Sequence, residues 1–353
     1  MAVSRYYDEN HRELATVVLN LPSLNWTLLI GAHCARALDV AMPVAYHTFT
    51  SRVSKGIRMD GAEIDEIRRK TIALESAAGS GEMAGVEFGP ADRPYDVIFL
   101  HANGFNAMTY RSILAPLGAE MRILAVDQRG HGRSRLIADP QGRTGWGPFQ
   151  DDLLALLEAL DGPPVVLAGH SMGGCASLLT AGVAPDKIKR MALFDPVIMA
   201  KTRSASDIPS GENGLLQGAL RRRAVFDSKD AVVSAYAGRG AFRTWSTQML
   251  ADYVEDGFRP KADGTVELSC SPLWEAANFA AHDHDPWRGL ETFPRPIHIW
   301  RAETGSTARI DGDMPTLAAR DNIRIKTVPG TSHFLPMERP DLVQAGLREA
   351  VLG

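Results

Sequence analysis

From Val97 onward, short apolar runs alternate with stretches in which apolar residues recur at helical spacing. Short runs rich in Val, Ile, Leu and Phe predict the strands of a parallel sheet covered by helices. They fall at Val97–Leu100, Ile123–Val126, Val165–Ala168, Met191–Phe194, Ile297–Trp300 and Ile323–Val328. Between them, Leu153, Leu156, Leu157 and Leu160 mark one face of a helix over Phe149–Leu160, and Asp341–Val351 forms a closing helix. The order predicts an α/β fold: a mostly parallel central sheet flanked by helices, with right-handed crossovers.

Two segments break this alternation. Between Pro196 and Pro294, roughly a hundred residues have helical rather than strand character, more than a loop holds, which predicts a helical lid inserted at 197–294. Residues 1–80 form a second departure, read as an N-terminal helical extension: Glu63–Ser76 has helical periodicity and ends at a turn or linker, Ala77-Ala78-Gly79-Ser80-Gly81. The core is then 81–196 and 295–353. The apolar stretch Trp26–Tyr46 is interrupted by His33, Arg36, Asp39 and Pro43. Charges at mid-membrane depth are costly, so it reads as a buried or partner-packed helix, with no membrane span. The extension is expected either to form a homodimer interface or to brace the lid.

Composition narrows the chemistry. A net charge of −4 with 23% charged residues in 353 offers no basic stripe for nucleic acid. The cysteines Cys34, Cys175 and Cys270 are odd in number and lack paired spacing, so neither a disulfide framework nor a zinc site is expected, and a cytoplasmic, reducing setting fits. The N-terminal MAVSRYYDENHRE is polar where a signal peptide requires an apolar run. The tetrad His282-Asp283-His284-Asp285 reads as a solvated loop rather than a metal cluster. No metal or cofactor is expected.

The chemistry centres on Gly169-His170-Ser171-Met172-Gly173, which joins the Val165–Ala168 strand to an apolar helix. Glycines on either side let the chain reverse sharply and project the Ser171 hydroxyl as a nucleophile, with the helix N-terminus directed at a developing oxyanion. Three further segments accompany it: Leu100-His101-Ala102-Asn103-Gly104-Phe105, Asp127-Gln128-Arg129-Gly130-His131-Gly132-Arg133-Ser134, and Val328-Pro329-Gly330-Thr331-Ser332-His333-Phe334. With these motifs, the chain from about Met83 to the C-terminus resembles the α/β-hydrolase superfamily, in particular its serine esterases and lipases with a helical lid.

The resemblance implies roles. His333, just past the last strand, would be the general base; the main-chain N–H groups of Asn103 and Met172 would line the oxyanion hole; the Asp127–Ser134 segment would be scaffold. The acid departs from the family pattern, because Gly305 falls where most members carry it. Asp195, at the end of the Met191–Phe194 strand, is where some dehalogenases of the superfamily place their acid. Glu303 is the alternative, with Asp311 and Asp313 more remote. Within the lid, Arg221–Arg223, Phe242, Trp245, Tyr253, Phe258 and Trp274 resemble lid segments of such enzymes and suit a small-molecule substrate with an apolar part. The function expected is cleavage of a carboxylic ester or lactone through an acyl-enzyme on Ser171. The alternatives are a C–C bond hydrolase, a perhydrolase, or a ligand-binding protein that keeps the fold without catalysis.

Overall fold

Where each apolar run finds its hydrogen-bond partner decides the architecture. A computed structural model describes residues 67–201 and 210–353, the side chains of 210–213 excepted, and the backbone of residues 2–7, 13–19 and 26–29. The chain divides into two units, Met1–Ile64 and Asp65–Gly353. In the first, β1 (Ala2–Tyr7), β2 (Glu13–Leu19) and β3 (Trp26–Leu29) form an antiparallel sheet in that order, with Ala2 opposite Leu19 and Leu19 opposite Trp26.

The second unit opens with a hairpin, β4 (Arg68–Ser76) and β5 (Gly79–Phe88). Then come β6 (Val97–Leu100), α1 (Arg111–Leu114), β7 (Ile123–Val126), α2 (Gly147–Ala159), β8 (Val165–His170), α3 (Met172–Ala181) and β9 (Ile188–Phe194). The insertion follows, with α4 (Ser210–Leu220), β10 (Val225–Phe226), α5 (Lys229–Tyr236), α6 (Thr247–Gly257), β11 (Phe258–Pro260), β12 (Val266–Leu268), α7 (Pro272–Ala280) and α8 (Pro286–Thr292). Finally β13 (Ile297–Ala302), α9 (Met314–Ala318), β14 (Ile323–Val328), α10 (Leu335–Glu338) and α11 (Pro340–Leu352) complete the chain. The main sheet has the order β14-β13-β9-β8-β6-β7-β5-β4; β6 through β9, β13 and β14 run parallel, and the β4–β5 hairpin joins antiparallel through β7.

Strand geometry sorts the core into two layers, because successive side chains point to opposite faces. Ile98, Leu100, Leu167 and Leu193 pack with Leu153, Leu156, Cys175 and Leu178 of α2 and α3. Val97, Phe99, Val166, Ala168 and Phe194 face the other way, onto Ile113, Leu117, Val343 and Leu347. All six predicted core strands are present.

The helical extension is corrected on two counts. Arg68–Ser76, read as the end of a helix, is a strand paired along its whole length with Gly79–Phe88, from Arg68 opposite Glu87 to Ser76 opposite Gly79. Its alternation of Thr71, Ala73 and Glu75 with Ile72 and Leu74 has period two, and buried Leu74 supports that face. The three N-terminal segments are likewise strands; β-branched Thr16, Val17 and Val18 favour a sheet. Of the Trp26–Tyr46 stretch, Trp26–Leu29 is therefore strand, while the remainder lies outside the described residues, as does most of what bears on a dimer or brace role. Among the described residues, no helix is long and apolar enough to cross a membrane.

The insertion is also not wholly helical. Among the described residues its five α-helices share space with a small antiparallel sheet in the order β10-β12-β11, in which Phe258 pairs with Leu268 and Phe226 with Val266. The Asp263-Gly264 turn that joins two of these strands is a hairpin signal that helical periodicity overlooks.

The sheet register prepares a site. Leu100 lies opposite Gly169, His170 opposite Phe194, and Phe194 opposite Trp300, so β6, β8, β9 and β13 end at one edge. Residues leaving those strands converge there, in the crevice beyond the carboxyl ends of a parallel sheet.

Candidate active site

Ser171 sits where β8 turns into α3, with φ 55 and ψ −115. A non-glycine residue in this left-handed region costs about 1–3 kcal/mol and persists only where its surroundings enforce it. Here the Ser171 N–H donates to Phe194 O at 3.1 Å, and its carbonyl accepts from the N–H groups of Cys175 and Val197, each at 3.1 Å. The turn is tight enough to dictate its neighbours. A Cβ on Gly173 would lie 2.2 Å from Leu100 O, and one on Gly169 would lie 2.5 Å from the Gly173 carbonyl carbon.

His333 reaches this serine from the loop between β14 and α10. That loop is pinned by Glu338, whose carboxylate accepts from the Ser332 N–H at 2.7 Å and the Ser332 hydroxyl at 2.6 Å. His333 Nε2 lies 3.0 Å from Ser171 Oγ, and Nδ1 lies 2.6 Å from Asp195 Oδ2. An ionised carboxylate only accepts, so Nδ1 carries the proton and Nε2 presents its lone pair to the serine O–H.

Asp195 is fully buried at the end of β9, with a left-handed φ of 44. Its Oδ1 accepts from Ala302 N–H at 2.9 Å and Ser306 Oγ at 2.6 Å; its Oδ2 accepts from Thr307 N–H at 3.0 Å as well as from His333. Burial alone would raise this carboxyl, but the hydrogen bond and charge of His333, the Ser306 hydroxyl and the Ala302 N–H outweigh it and hold it below its ordinary value. Asp195 thus stays ionised at neutral pH.

Behind His333 lies a polar chain that motif reading missed. Ala102 N–H donates to Tyr110 Oη at 3.2 Å, Tyr110 Oη meets His170 Nδ1 at 2.8 Å, and His170 Nε2 meets His333 O at 2.8 Å. Burial, followed by the neighbouring His333, pushes His170 well below the ordinary imidazole value, so it is neutral and one ring nitrogen accepts while the other donates.

The model of the Alpha/beta hydrolase family matches residues 97–345. The chain belongs to this family. It is 23% identical over 249 residues to 2-(acetamidomethylene)succinate hydrolase of Mesorhizobium japonicum, a match that covers 70% of this chain and 84% of that protein. Over 123 residues it is 31% identical to the monoglyceride lipase of Homo sapiens, covering 33% of this chain and 40% of the lipase. The crystal structure of E-2-(acetamidomethylene)succinate hydrolase shares the fold with a TM-score of 0.67 at 19% identity, over 82% of this chain and all, 100%, of that one.

The other residues singled out in the sequence fall as follows. Asn103 lines the cavity above Ser171, and Met172 opens α3, where a helix leaves its first N–H groups without intrahelical partners. Glu303 is not beside His333: its carboxylate is exposed and accepts from Gly330 N–H at 3.0 Å, within the turn that precedes the histidine. That alternative for the acid is corrected, because the loop after β13 turns Glu303 outward and points Ser306 and Thr307 inward. Asp311 is held by Arg301 at 2.9 Å and Asp313 lies 3.6 Å from Lys201. The signal available in the sequence was the hydroxyl pair Ser306-Thr307 directly after Gly305, where the family usually supplies a carboxylate.

The Asp127–Ser134 segment is structural. Asp127 accepts from Ala107 N–H at 2.7 Å and Arg133 N–H at 2.8 Å, and buried Arg129 grips Asp152 at 2.8 and 2.6 Å. His101 accepts from Gln128 N–H through Nε2 at 2.9 Å, and His131 accepts from Gly104 N–H at 3.0 Å.

A cavity of about 310 Å³ opens over Ser171 and His333, walled by Phe105, Trp146, Val197, Leu215, Phe242 and Phe334. Polar groups also reach it, among them Arg222, Glu275 and Asn278 of the insertion. Of the residues expected in the lid, Phe242 and Arg222 line it, while Tyr253, Phe258 and Trp274 are buried in packing. Within the tetrad, His284 stacks on Trp146 with ring centroids 4.5 Å apart, and Asp285 caps α8 through Trp287 N–H at 3.0 Å.

Proposed function

We propose that this protein is a serine hydrolase that cleaves carboxylic esters through an acyl-enzyme on Ser171, with His333 as general base and Asp195 as its carboxylate partner. The observation that carries the reading is the continuous relay from Ser171 Oγ to His333 at 3.0 Å and from His333 to buried Asp195 at 2.6 Å, facing an apolar cavity. Family membership and the lipase relative support the same class of chemistry.

In the first step Ser171 Oγ attacks the ester carbonyl carbon while its proton passes to His333 Nε2. The imidazolium formed is stabilised by Asp195, which is already ionised and hydrogen-bonded on both oxygens. The Asn103 and Met172 N–H groups take the tetrahedral oxyanion; donors of this kind are worth about 3–4 kcal/mol each. Collapse breaks the bond to the alcohol oxygen, which leaves with the proton from His333. Water then attacks the acyl-enzyme, gives its proton to His333, and the carboxylic acid departs as Ser171 recovers its own. The insertion serves as a lid, and its aromatic lining accepts the apolar part of the substrate.

A panel of chromogenic esters, with wild type and Ser171→Ala, tests this. Turnover by the wild type that the variant lacks is expected, together with rapid labelling of Ser171 by a fluorophosphonate that His333→Ala abolishes. Equal turnover by wild type and Ser171→Ala would remove the acyl-enzyme, and an unlabelled serine would favour a receptor that keeps the pocket without the chemistry.

A further inference from the structure

We propose that Asn278, on the inserted helix α7, is a positioning residue that fixes the oxyanion loop by holding the side chain of Asn103. Its kinetic consequence rests on the acyl-enzyme reading above; its structural consequence does not.

Two contacts fix the orientation of the Asn103 amide. Asn103 Nδ2 lies 3.0 Å from Glu275 O, a pure acceptor, so the amine end of Asn103 faces α7 there. Its Oδ1 must then accept, and Asn278 Nδ2 donates to it at 3.0 Å. Asn278 is thereby oriented as well, and its own Oδ1 is buried without a hydrogen-bond partner among the described residues. An unsatisfied buried acceptor works against stability. The amide is therefore retained for the bond that its other end makes.

Two neighbouring anchors make α7 a firm base for this grip. Trp146 Nε1 donates to Asn278 O at 3.0 Å, and Trp274 Nε1 donates to Arg129 O at 3.1 Å. The same Arg129 carbonyl accepts from His131 Nδ1 at 2.9 Å, while His131 Nε2 accepts from Gly104 N–H at 3.0 Å. The loop Ala102–Phe105 is thus held from one side by the core histidine and from the other by the insertion. Burial pushes His131 down to about 4, which keeps its Nε2 an acceptor at working pH. A main-chain donor placed by such a closed circuit meets the developing oxyanion without reorganising, which is how oxyanion holes act.

The test uses the full-length chain with Asn278→Ala and Asn278→Asp. For Asn278→Ala the expected result is a fall in kcat of about tenfold or more with KM changed by less than about threefold, the pattern of a contact that matters in the transition state. Affinity for a boronic acid that forms a tetrahedral adduct on Ser171 should fall by the same factor as kcat/KM. Hydrogen exchange of the amides in 101–106 should accelerate. A kcat within about twofold of wild type, unchanged boronate affinity, or unchanged exchange would each overturn the proposal.

The isosteric Asn278→Asp keeps the question open to test if the alanine variant does not fold. Ionised, its oxygen repels Asn103 Oδ1; protonated, it can donate again, and burial brings that proton within reach of ordinary pH. The ratio of variant to wild-type kcat should therefore rise as pH falls, and a ratio independent of pH would count against the proposal. Absence of Ser171-dependent turnover in the wild type would end the acyl-enzyme reading, while the exchange measurement would still decide the role of Asn278.

Discussion

Replacing Asp195 with Asn exchanges one oxygen for an amine where a main-chain N–H faces each oxygen. The carboxylate accepts from Ala302 N–H, Ser306 Oγ, Thr307 N–H and His333 Nδ1 at 2.9, 2.6, 3.0 and 2.6 Å. Whichever way the amide turns, its NH₂ opposes a fixed main-chain N–H, at Ala302 or at Thr307. If the amine faces His333, the imidazole accommodates it by moving its proton to Nε2, and Nε2 can no longer take the proton of Ser171. If the oxygen faces His333, the tautomer survives but the charge that stabilises the imidazolium is gone. For a Ser-His-Asp arrangement, loss of this group lowers kcat by about 10⁴, or roughly 5 kcal/mol at 1.36 kcal/mol per decade. The assay is kcat on the best ester of the panel for Asp195→Asn and Glu303→Gln, with thermal melting to show that both are folded. Among the described residues Glu303 accepts from Gly330 N–H at 3.0 Å on the exposed side of its turn, so its variant should stay within about twofold of wild type. A folded Asp195→Asn that keeps more than about a tenth of wild-type kcat, or a Glu303→Gln that loses as much as Asp195→Asn, would refute the assignment of the acid.

Three further outcomes are expected. Gly173→Ala places a Cβ 2.2 Å from Leu100 O, a main-chain atom that cannot step aside, so urea unfolding should show a loss of about 1–3 kcal/mol or more; an unchanged midpoint would mean that the turn is looser than it stands. Arg129→Met strands the buried Asp152 carboxylate and should cost about 3–5 kcal/mol in the same assay, most of it recovered in Arg129→Met/Asp152→Asn; a single variant as stable as wild type would contradict this. Stability should fall as pH is lowered below neutrality. His131 is pushed by burial from 6.5 to about 4, so in that window the unfolded chain binds a proton that the native state refuses, a loss of about 3 kcal/mol by pH 4. His101 and His170 shift in the same direction for the same cause, while Asp127, raised to about 7 by burial, binds its proton in the native state and opposes the trend. Burial also lowers His298 and raises Asp151 and Asp252, but the three fully buried imidazoles dominate, so the urea midpoint should drop between pH 7 and about 4.5, and a flat or rising profile there would show that these histidines are not buried neutral.

The sequence by itself determined the six core strands, because runs such as Val97–Leu100 and Val165–Ala168 are apolar on both faces and fit only the interior of a covered sheet. It also picked out Ser171 and His333 through their motifs, the glycines flanking the serine and the position just past the last strand, although the Leu100 carbonyl that Gly173 must clear lies on another strand. The N-terminal hairpin was not legible, since Arg68–Ser76 supports either period until a partner strand pairs with it, and the Gly79–Phe88 strand that does so carries two interior glycines and few apolar residues. The acid was open for a related reason. Asp195 and Glu303 end adjacent strands of the sheet, and in a linear reading both are within reach of the histidine. Only the tertiary structure separates them, by turning the loop after β13 so that Ser306 and Thr307 donate inward to Asp195 while Glu303 bends outward to Gly330. The same holds for Asn278, 175 residues from its partner Asn103 in the chain and joined to it only because α7 docks over the end of β6. Motifs and apolar runs are recorded in neighbouring residues, whereas contacts between distant segments exist only once the sheet has brought their ends together.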